Sequence, residues 1–164
     1  GPWAVSIALW QRTEPVFGVV YSASDDAVFW GGPGIGSFRG DDPITVSQAS
    51  DRVRASVCTG VPARVDVSDP VYKQRFWDVV SGFGKIRMLG SASMSLVYVA
   101  SGAADAYCED GIMIWDVAAG LAIVRGAGGS QTCTPGRTEF SVNVFACNGR
   151  LTHPANIGSG ANEQ

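Results

Sequence analysis

Glycine spacing constrains the fold of this chain more than any other feature of the sequence. The 164 residues include 21 glycines, many of which separate short apolar segments. Glycine favours tight turns and weakens the interior of helices and strands, so these positions predict short elements joined by turns. With 46% apolar and 16% charged residues, the segments can bury a core, and the length indicates one domain of ordinary size.

The first third of the chain predicts antiparallel strands. Large and small side chains alternate from Trp3 to Leu9, as in a strand with one large face and one small face. Small side chains let a neighbouring layer approach closely, so we expect packing on that face as well. Segments 16–21 and 27–30 continue as an antiparallel meander.

Helices and strands alternate in the rest of the chain. Helical spacing predicts helices at 70–83, 92–100 and 117–124, and apolar runs predict strands at 53–58, 86–89, 104–109 and 140–146. This order indicates an α/β fold of the mixed α+β kind, with layered helices packed on one large, mixed and largely antiparallel sheet. We expect the domain to cover residues 1–155 and the polar segment 156–164 to be a flexible tail.

Charge, hydropathy and cysteine spacing narrow the classes of partner. The 12 basic and 15 acidic residues give a net charge of −3 without a basic stripe, which argues against nucleic acid. No apolar run approaches the roughly 20 residues that span a bilayer, and the N-terminus lacks a signal-peptide pattern. The four cysteines are widely spaced, which predicts free and mostly structural thiols. We therefore expect a cytoplasmic protein with no membrane partner.

Several common catalytic motifs are missing from the sequence. The Gly34-x-Gly36 fragment lacks the third glycine of a dinucleotide fingerprint, and no Walker motif or Gly-x-Ser-x-Gly elbow occurs. The only histidine, His153, lies near the polar tail and is predicted to be solvent-exposed. A Ser-His-Asp triad and a histidine-rich zinc site are thereby disfavoured.

Acidic residues provide the remaining candidate chemistry. Glu109 and Asp110 end a predicted strand, and Asp116 directly precedes a predicted helix. Carboxylates at such positions are good ligands for Mg²⁺, which takes one or two of them together with water and phosphate oxygens. The alternatives are an N-cap role for Asp116 and a solvated strand end for Glu109. Ser91 also suits an N-cap, although amides at a helix start can bind an anion or a polyol oxygen.

A specific family resemblance is found at these residues. The segment Trp115–Gly120 reads W-D-x-A-A-G, a motif of the inositol monophosphatase family, and Gly128-Gly129 follows as that family's A-G-G does. The run from Leu89 to Gly102 is similar to its L-G-S-A-A-L-x-L-x-Y-V-A-x-G, and Asp105–Glu109 to its D-x-Y-x-E. The opening strand resembles its F-A-V-S-I-A-L, so the likeness runs in order along nearly the whole chain.

The resemblance implies a Mg²⁺-dependent phosphomonoesterase that acts on a phosphorylated polyol or sugar. It implies that Asp116 is a metal ligand and the catalytic carboxylate, and that Glu109 hydrogen-bonds a substrate hydroxyl. The segment of Gly90, Ser91 and Ala92 would line the polyol pocket with backbone groups. The substrate stays open among inositol phosphates, sugar phosphates, histidinol phosphate and nucleotide-derived phosphates.

The likeness covers only the C-terminal half of the family pattern. The family's other metal-binding motifs, G-E-E and D-P-(I/L)-D-G-T, lie upstream of its F-A-V-S-I-A-L strand, and neither Asp42-Pro43 nor Asp69-Pro70 continues with Asp-Gly. We expect a half-enzyme that is nearly inactive alone and is completed by an N-terminal phosphatase half, a homo-oligomer, or both. Its sheet should then expose an apolar face. The alternative is a non-catalytic domain that binds a polyol, a sugar phosphate or a protein.

Overall fold

The computed structural model describes residues 3–155, and three α-helices and ten strands lie within that range. The helices are α1 (Pro70–Gly82), α2 (Ala92–Ala100) and α3 (Ile114–Gly126). The strands are β1 (Ala4–Gln11), β2 (Glu14–Ser22), β3 (Ala27–Gly32), β4 (Gly36–Arg39), β5 (Asp42–Pro43), β6 (Ser56–Thr59), β7 (Lys85–Arg87), β8 (Ala106–Met113), β9 (Ser130–Pro135) and β10 (Ser141–Cys147).

The first sheet is an antiparallel meander in the order β1-β2-β3-β4-β5. Its inner face carries small residues and packs against α3, as the alternation in β1 predicts. Gly18 shows how close the approach is, because a Cβ at this position would lie 2.2 Å from the carbonyl oxygen of Ala119. Close packing on the small face is therefore confirmed.

The outer face of the first sheet is apolar and uncovered by any described element. Trp3, just before β1, is 62% exposed, and Val5, Ile7 and Leu9 of β1 are 49%, 64% and 61% exposed. The strand register places further apolar side chains beside them on the same face, namely Phe17, Val19, Tyr21, Val28, Trp30 and Phe38. We call these ten side chains the outer face, and they confirm the expected uncovered apolar surface.

The remaining strands form a second sheet in the order β7-β6-β8-β10-β9. β6 runs parallel to β7 and β8, whereas β10 is antiparallel to β8 and β9. The mixed α+β class and the largely antiparallel pairing are confirmed, but the strands divide between two sheets instead of forming one. The physical reason is that α2 and α3 are buried nearly all round, and such helices need a layer on each side.

The three helices form layers between and beside the two sheets. α2 and α3 pack on each other and contact both sheets, so the main core lies between the sheets. α1 packs on the other side of the second sheet, where Val79 and Phe83 join a smaller cluster with Val57, Cys108 and Phe145. None of the described helices is long and apolar enough to cross a membrane. All four cysteines are free, as predicted, and only Cys133 is exposed.

Two predicted boundaries near the acidic residues are wrong. β8 continues to Met113, four residues beyond the predicted end at Glu109, because β10 pairs with it along its whole length. α3 begins at Ile114 and not at Val117. By contrast, α2 has the predicted bounds, and α1 begins at Pro70 behind an Asp69 cap. The expected tail, 156–164, lies outside the described residues.

Candidate functional site

The candidate site lies where the first turns of α2 and α3 meet the middle of β8. The hydroxyl of Ser93 in α2 donates a hydrogen bond of 3.0 Å to the carbonyl oxygen of Asp116 in α3. Gly120 lets the two helices pack closely, because a Cβ there would lie 2.5 Å from the Cβ of Leu96. Helix packing therefore brings the Gly90–Ala92 segment and Asp116 together although 24 or more residues separate them in sequence.

Asp116 lies in the first turn of α3, not at its cap. The cap residue is Met113, which makes no side-chain capping bond, so the alternative N-cap role of Asp116 is wrong. Within residues 3–155, the Asp116 carboxylate makes no hydrogen bond and no ion pair. Partial burial raises its pKa, while the positive end of the helix favours its charge. The carboxylate is thus available to a cation.

Glu109 is buried inside β8. Only 9% of its surface is exposed, and it lies opposite Val144 of β10. The alternative of a solvated strand end is therefore wrong, because pairing with β10 continues past this position. Burial, and then the charge of Asp116, raise the pKa of Glu109 to about 7. At neutral pH this carboxyl can either donate or accept a hydrogen bond.

Gly60 makes the space for the Glu109 carboxyl. A Cβ at this position would lie 2.5 Å from the Oε1 atom of Glu109. Gly60 directly follows β6, and the hydroxyl of neighbouring Thr59 donates a 2.7 Å hydrogen bond to the carbonyl oxygen of Cys108. The end of β6 is thus attached to β8 beside Glu109. Sequence reasoning did not identify Thr59 and Gly60, although a glycine just after a buried strand was a usable signal.

The Gly90–Ala92 segment forms the start of α2. Gly90 has a φ of 72°, a conformation that favours glycine, and Ser91 is the N-cap residue. The Ser91 side chain accepts a hydrogen bond of 3.4 Å from the amide of Met94, which confirms its predicted capping role. Because the hydroxyl is engaged with the helix, the groups this segment can offer to a ligand are mainly backbone groups.

A narrow cleft adjoins Glu109 on the side of α1. Tyr72 and Arg75 of α1 line it together with Asp110 of β8. Arg75 binds Asp110 through an ion pair in which Nε lies 2.7 Å from Oδ2. Sequence reasoning missed both α1 residues, because no local pattern shows that this helix packs over β8.

His153 is not exposed, contrary to the prediction. It is half-buried, its ring centroid lies 5.3 Å from that of Phe145, and its Nε2 lies 3.4 Å from the Sγ of Cys108. Burial lowers the pKa of His153 and raises the pKa of Cys108 to about 12. Both groups are therefore neutral at pH 7, so they do not form the thiolate–imidazolium pair of a cysteine nucleophile.

The acidic residues supply one ligand suited to Mg²⁺, but they do not form a complete metal site. Among residues 3–155, no group of three or more His, Cys, Asp or Glu side chains could hold a metal ion. The unpaired Asp116 carboxylate and the raised pKa of neighbouring Glu109 nevertheless mark a place where negative charge lacks a partner. Mg²⁺ takes only one or two protein carboxylates, so Asp116 suits it, with further oxygen ligands supplied from elsewhere.

Comparison with known proteins gives consistent matches. A model of the inositol monophosphatase family matches residues 1–161. The chain is 35% identical over 130 residues to "Fructose-1,6-bisphosphatase/inositol-1-monophosphatase" of Aquifex aeolicus, covering 79% of this chain and 49% of that protein. It is 34% identical over 146 residues to human "Inositol monophosphatase 2", covering 88% and 50%.

Solved structures agree with these sequence matches. The inositol monophosphatase from Anabaena superposes with a TM-score of 0.80 and 34% identity, over 93% of this chain and 61% of that chain. The chain spans about half the length of the curated relatives it matches.

Proposed function

Because this chain belongs to the inositol monophosphatase family, we propose that it supplies one metal ligand and the alcohol-binding residues of a Mg²⁺-dependent phosphomonoesterase. The observation that carries the proposal is the position of Asp116 beside Glu109, where the first turns of α2 and α3 meet. A domain kept only for its fold has no physical need for two repelling carboxylates in partly buried positions.

Each residue has a defined part in the proposed reaction. Asp116 binds the cation, which would activate a water molecule and neutralise charge on the phosphate oxygens. Glu109 binds a hydroxyl of the polyol or sugar, and its pKa of about 7 lets it donate or accept at neutral pH. Backbone groups of Gly90, Ser91 and Ala92 line the polyol pocket at the start of α2. The Aquifex relative is named for fructose 1,6-bisphosphate and inositol 1-phosphate, and the human relative for inositol monophosphate, which supports this substrate class.

The remaining metal ligands come from a second segment that covers the outer face. This face exposes Trp3, Ile7 and Leu9 by more than half of their surfaces. Exposed apolar surface of this extent marks an interaction site. The matched relatives are about twice as long as the matched region. The family resemblance implies that a phosphatase half with Asp-Pro-x-Asp-Gly is the occupant of this face. We further propose that the assembly acts in the cytoplasm, since the cysteines are free.

Mass spectrometry of the protein as purified from its source, with Mg²⁺ present, tests the assembly. We expect native spectra to show a polypeptide, joined covalently or not, that contains the Asp-Pro-x-Asp-Gly motif. The same preparation should hydrolyse inositol 1-phosphate. A chain that occurs only alone or as a self-dimer, without hydrolysis, would refute the proposal and leave a binding domain.

Substitution of the proposed ligand tests the chemistry. Asp116→Asn should abolish hydrolysis, since the amide is a poor Mg²⁺ ligand. The matched control is Asp41→Asn, because Asp41 is exposed and belongs to no described carboxylate interaction. If both variants lost hydrolysis equally, or if neither lost it, the role of Asp116 would be contradicted.

A further inference from the structure

A cavity of about 220 Å³ adjoins the Glu109 cleft on the side of α1. Tyr72, Arg75 and Asp110 line both spaces, so the cavity and the cleft share a wall. The other walls are the loop before α1 and the segment between β9 and β10. Its volume is below the roughly 300 Å³ at which pockets for whole small ligands begin, so it suits one end of a larger molecule.

Three partly exposed arginines line this cavity, and most of their hydrogen-bond donors have no protein acceptor. Arg75 uses its Nε and one Nη2 proton on Asp110, and Arg137 uses Nη1 on Asp69. Arg64 makes no ion pair within residues 3–155. A guanidinium carries five N–H donors, so most donors in the cavity wall have no protein acceptor.

The carboxylates of the wall, by contrast, are already engaged. Asp66 accepts from the amide and hydroxyl of Ser68 at 2.8 and 2.6 Å. Asp69 caps α1 by accepting from the amide of Val71 at 2.9 Å and also binds Arg137. Asp110 accepts two hydrogen bonds from Arg75. The wall therefore has a surplus of donors although its formal charges balance.

Tyr72 adds a donor of a different kind. Its hydroxyl oxygen is buried and has no hydrogen-bond partner among the described residues. A buried polar group without a partner costs free energy, which a ligand oxygen can recover. This hydroxyl belongs to a residue on the wall shared by the cavity and the Glu109 cleft.

We propose that this cavity binds an oxyanion, a phosphate or carboxylate group carried by the substrate at the end remote from the hydrolysed phosphate. Guanidinium groups bind such oxyanions through paired N–H donors, and an oxyanion supplies the acceptors that the wall lacks. A neutral polyol would leave most of these donors unfilled. The assignment to the substrate rests on the proposed phosphatase function, whereas the anion site itself does not.

Binding of inorganic phosphate tests the anion site without any catalysis. Amide spectra of the purified protein, in EDTA to remove metal ions, should show saturable shifts at Val71 and Gly111, two residues of the cavity wall. Arg64→Gln should weaken this binding about tenfold, since it removes a charged hydrogen-bond partner. The control Arg54→Gln, at an exposed arginine outside the cavity, should leave it unchanged.

Tyr72→Phe is a second variant, and it should not impair folding because the deleted hydroxyl has no protein partner among the described residues. It should weaken phosphate binding without lowering the free energy of unfolding. Absence of saturable shifts in the wild type, or equal shifts with uncharged myo-inositol, would overturn the anion site. Equal phosphate affinity in the Arg64 and Arg54 variants would overturn it as well.

Steady-state kinetics of the native assembly distinguish the source of the anion. With Mg²⁺, Arg64→Gln should raise the KM for fructose 1,6-bisphosphate about tenfold and leave the KM for inositol 1-phosphate unchanged. Loss of phosphate binding without this change in KM would assign the cavity to a free anion and overturn the substrate assignment. If the assembly hydrolyses neither compound, the phosphatase proposal fails while the result of the phosphate titration stands.

Discussion

Replacement of Glu109 by glutamine should remove a pH dependence from the stability of this protein. Burial first, and then the charge of Asp116, raise the pKa of Glu109 from an ordinary 4.5 to about 7. The folded state therefore binds the Glu109 proton more tightly than the unfolded state does. The contribution of this proton to the free energy of unfolding is fully present below pH 4.5. It is lost as the pH rises through about 7.

The size of the effect follows from the same values. At about 1.4 kcal/mol for each pKa unit, the free energy of unfolding should fall by about 3 kcal/mol across this range. The burial of Glu109, with 9% of its surface exposed, means that solvent screens little of this energy. The neutral amide introduced by Glu109→Gln does not titrate, so the variant should be more stable than the wild type at pH 8 by up to about 3 kcal/mol.

Urea denaturation in EDTA at pH 4.5, 6 and 8 measures this difference. The control is Glu139→Gln, because Glu139 is an exposed carboxylate outside the site. The wild type and the control should lose stability as the pH rises, whereas Glu109→Gln should lose much less. Parallel pH profiles for all three proteins would refute the argument that the Glu109 carboxyl is buried and protonated near neutral pH.

Three further predictions concern the helices and the outer face. Asp116→Asn should change the free energy of unfolding by less than about 1 kcal/mol in urea denaturation. Asp116 makes no capping bond, and the lost interaction with the helix dipole is offset by the lost repulsion with Glu109. Gly120→Ala should cost about 1–3 kcal/mol in the same assay, since its Cβ would lie 2.5 Å from Leu96 Cβ; a neutral change would contradict the close helix approach. Ile7→Lys, at a position 64% exposed on the outer face, should abolish association in native mass spectrometry, whereas Val53→Lys, 76% exposed in a loop, should not. Association that survives Ile7→Lys would show that the outer face is not the interface.

Local patterns allowed part of the site to be predicted. Asp116, Glu109 and the Gly90–Ala92 segment lie in motifs that can be read in sequence order, and the structure brings them to one place. Tyr72 and Arg75 could not be found in this way. They reach the site only because α1 packs on the second sheet, and the Arg75–Asp110 pair joins residues 35 positions apart.

The errors near the acidic residues have the same origin. The sequence predicts a strand end at Glu109, where Asp110 and Gly111 follow. Pairing with β10 extends the strand through Gly111, where the register shifts and the amide bonds to the Asn143 side chain. His153 is predicted to be exposed for lack of a visible partner, yet Phe145 and Cys108 contact it. Only the packed chain supplies those partners.

The local elements of this protein follow from short stretches of sequence. Alternation of side-chain size specifies β1 and its inner face, and the caps and apolar runs specify α1 and α2, because neighbouring residues control backbone preference. Packing between distant segments sets the division into two sheets, the burial of Glu109 and the rise of its pKa to about 7. Solvation and electrostatic energy depend on atoms brought together from far along the chain, such as Gly60 and Asp116 around Glu109, and local sequence does not encode those distances.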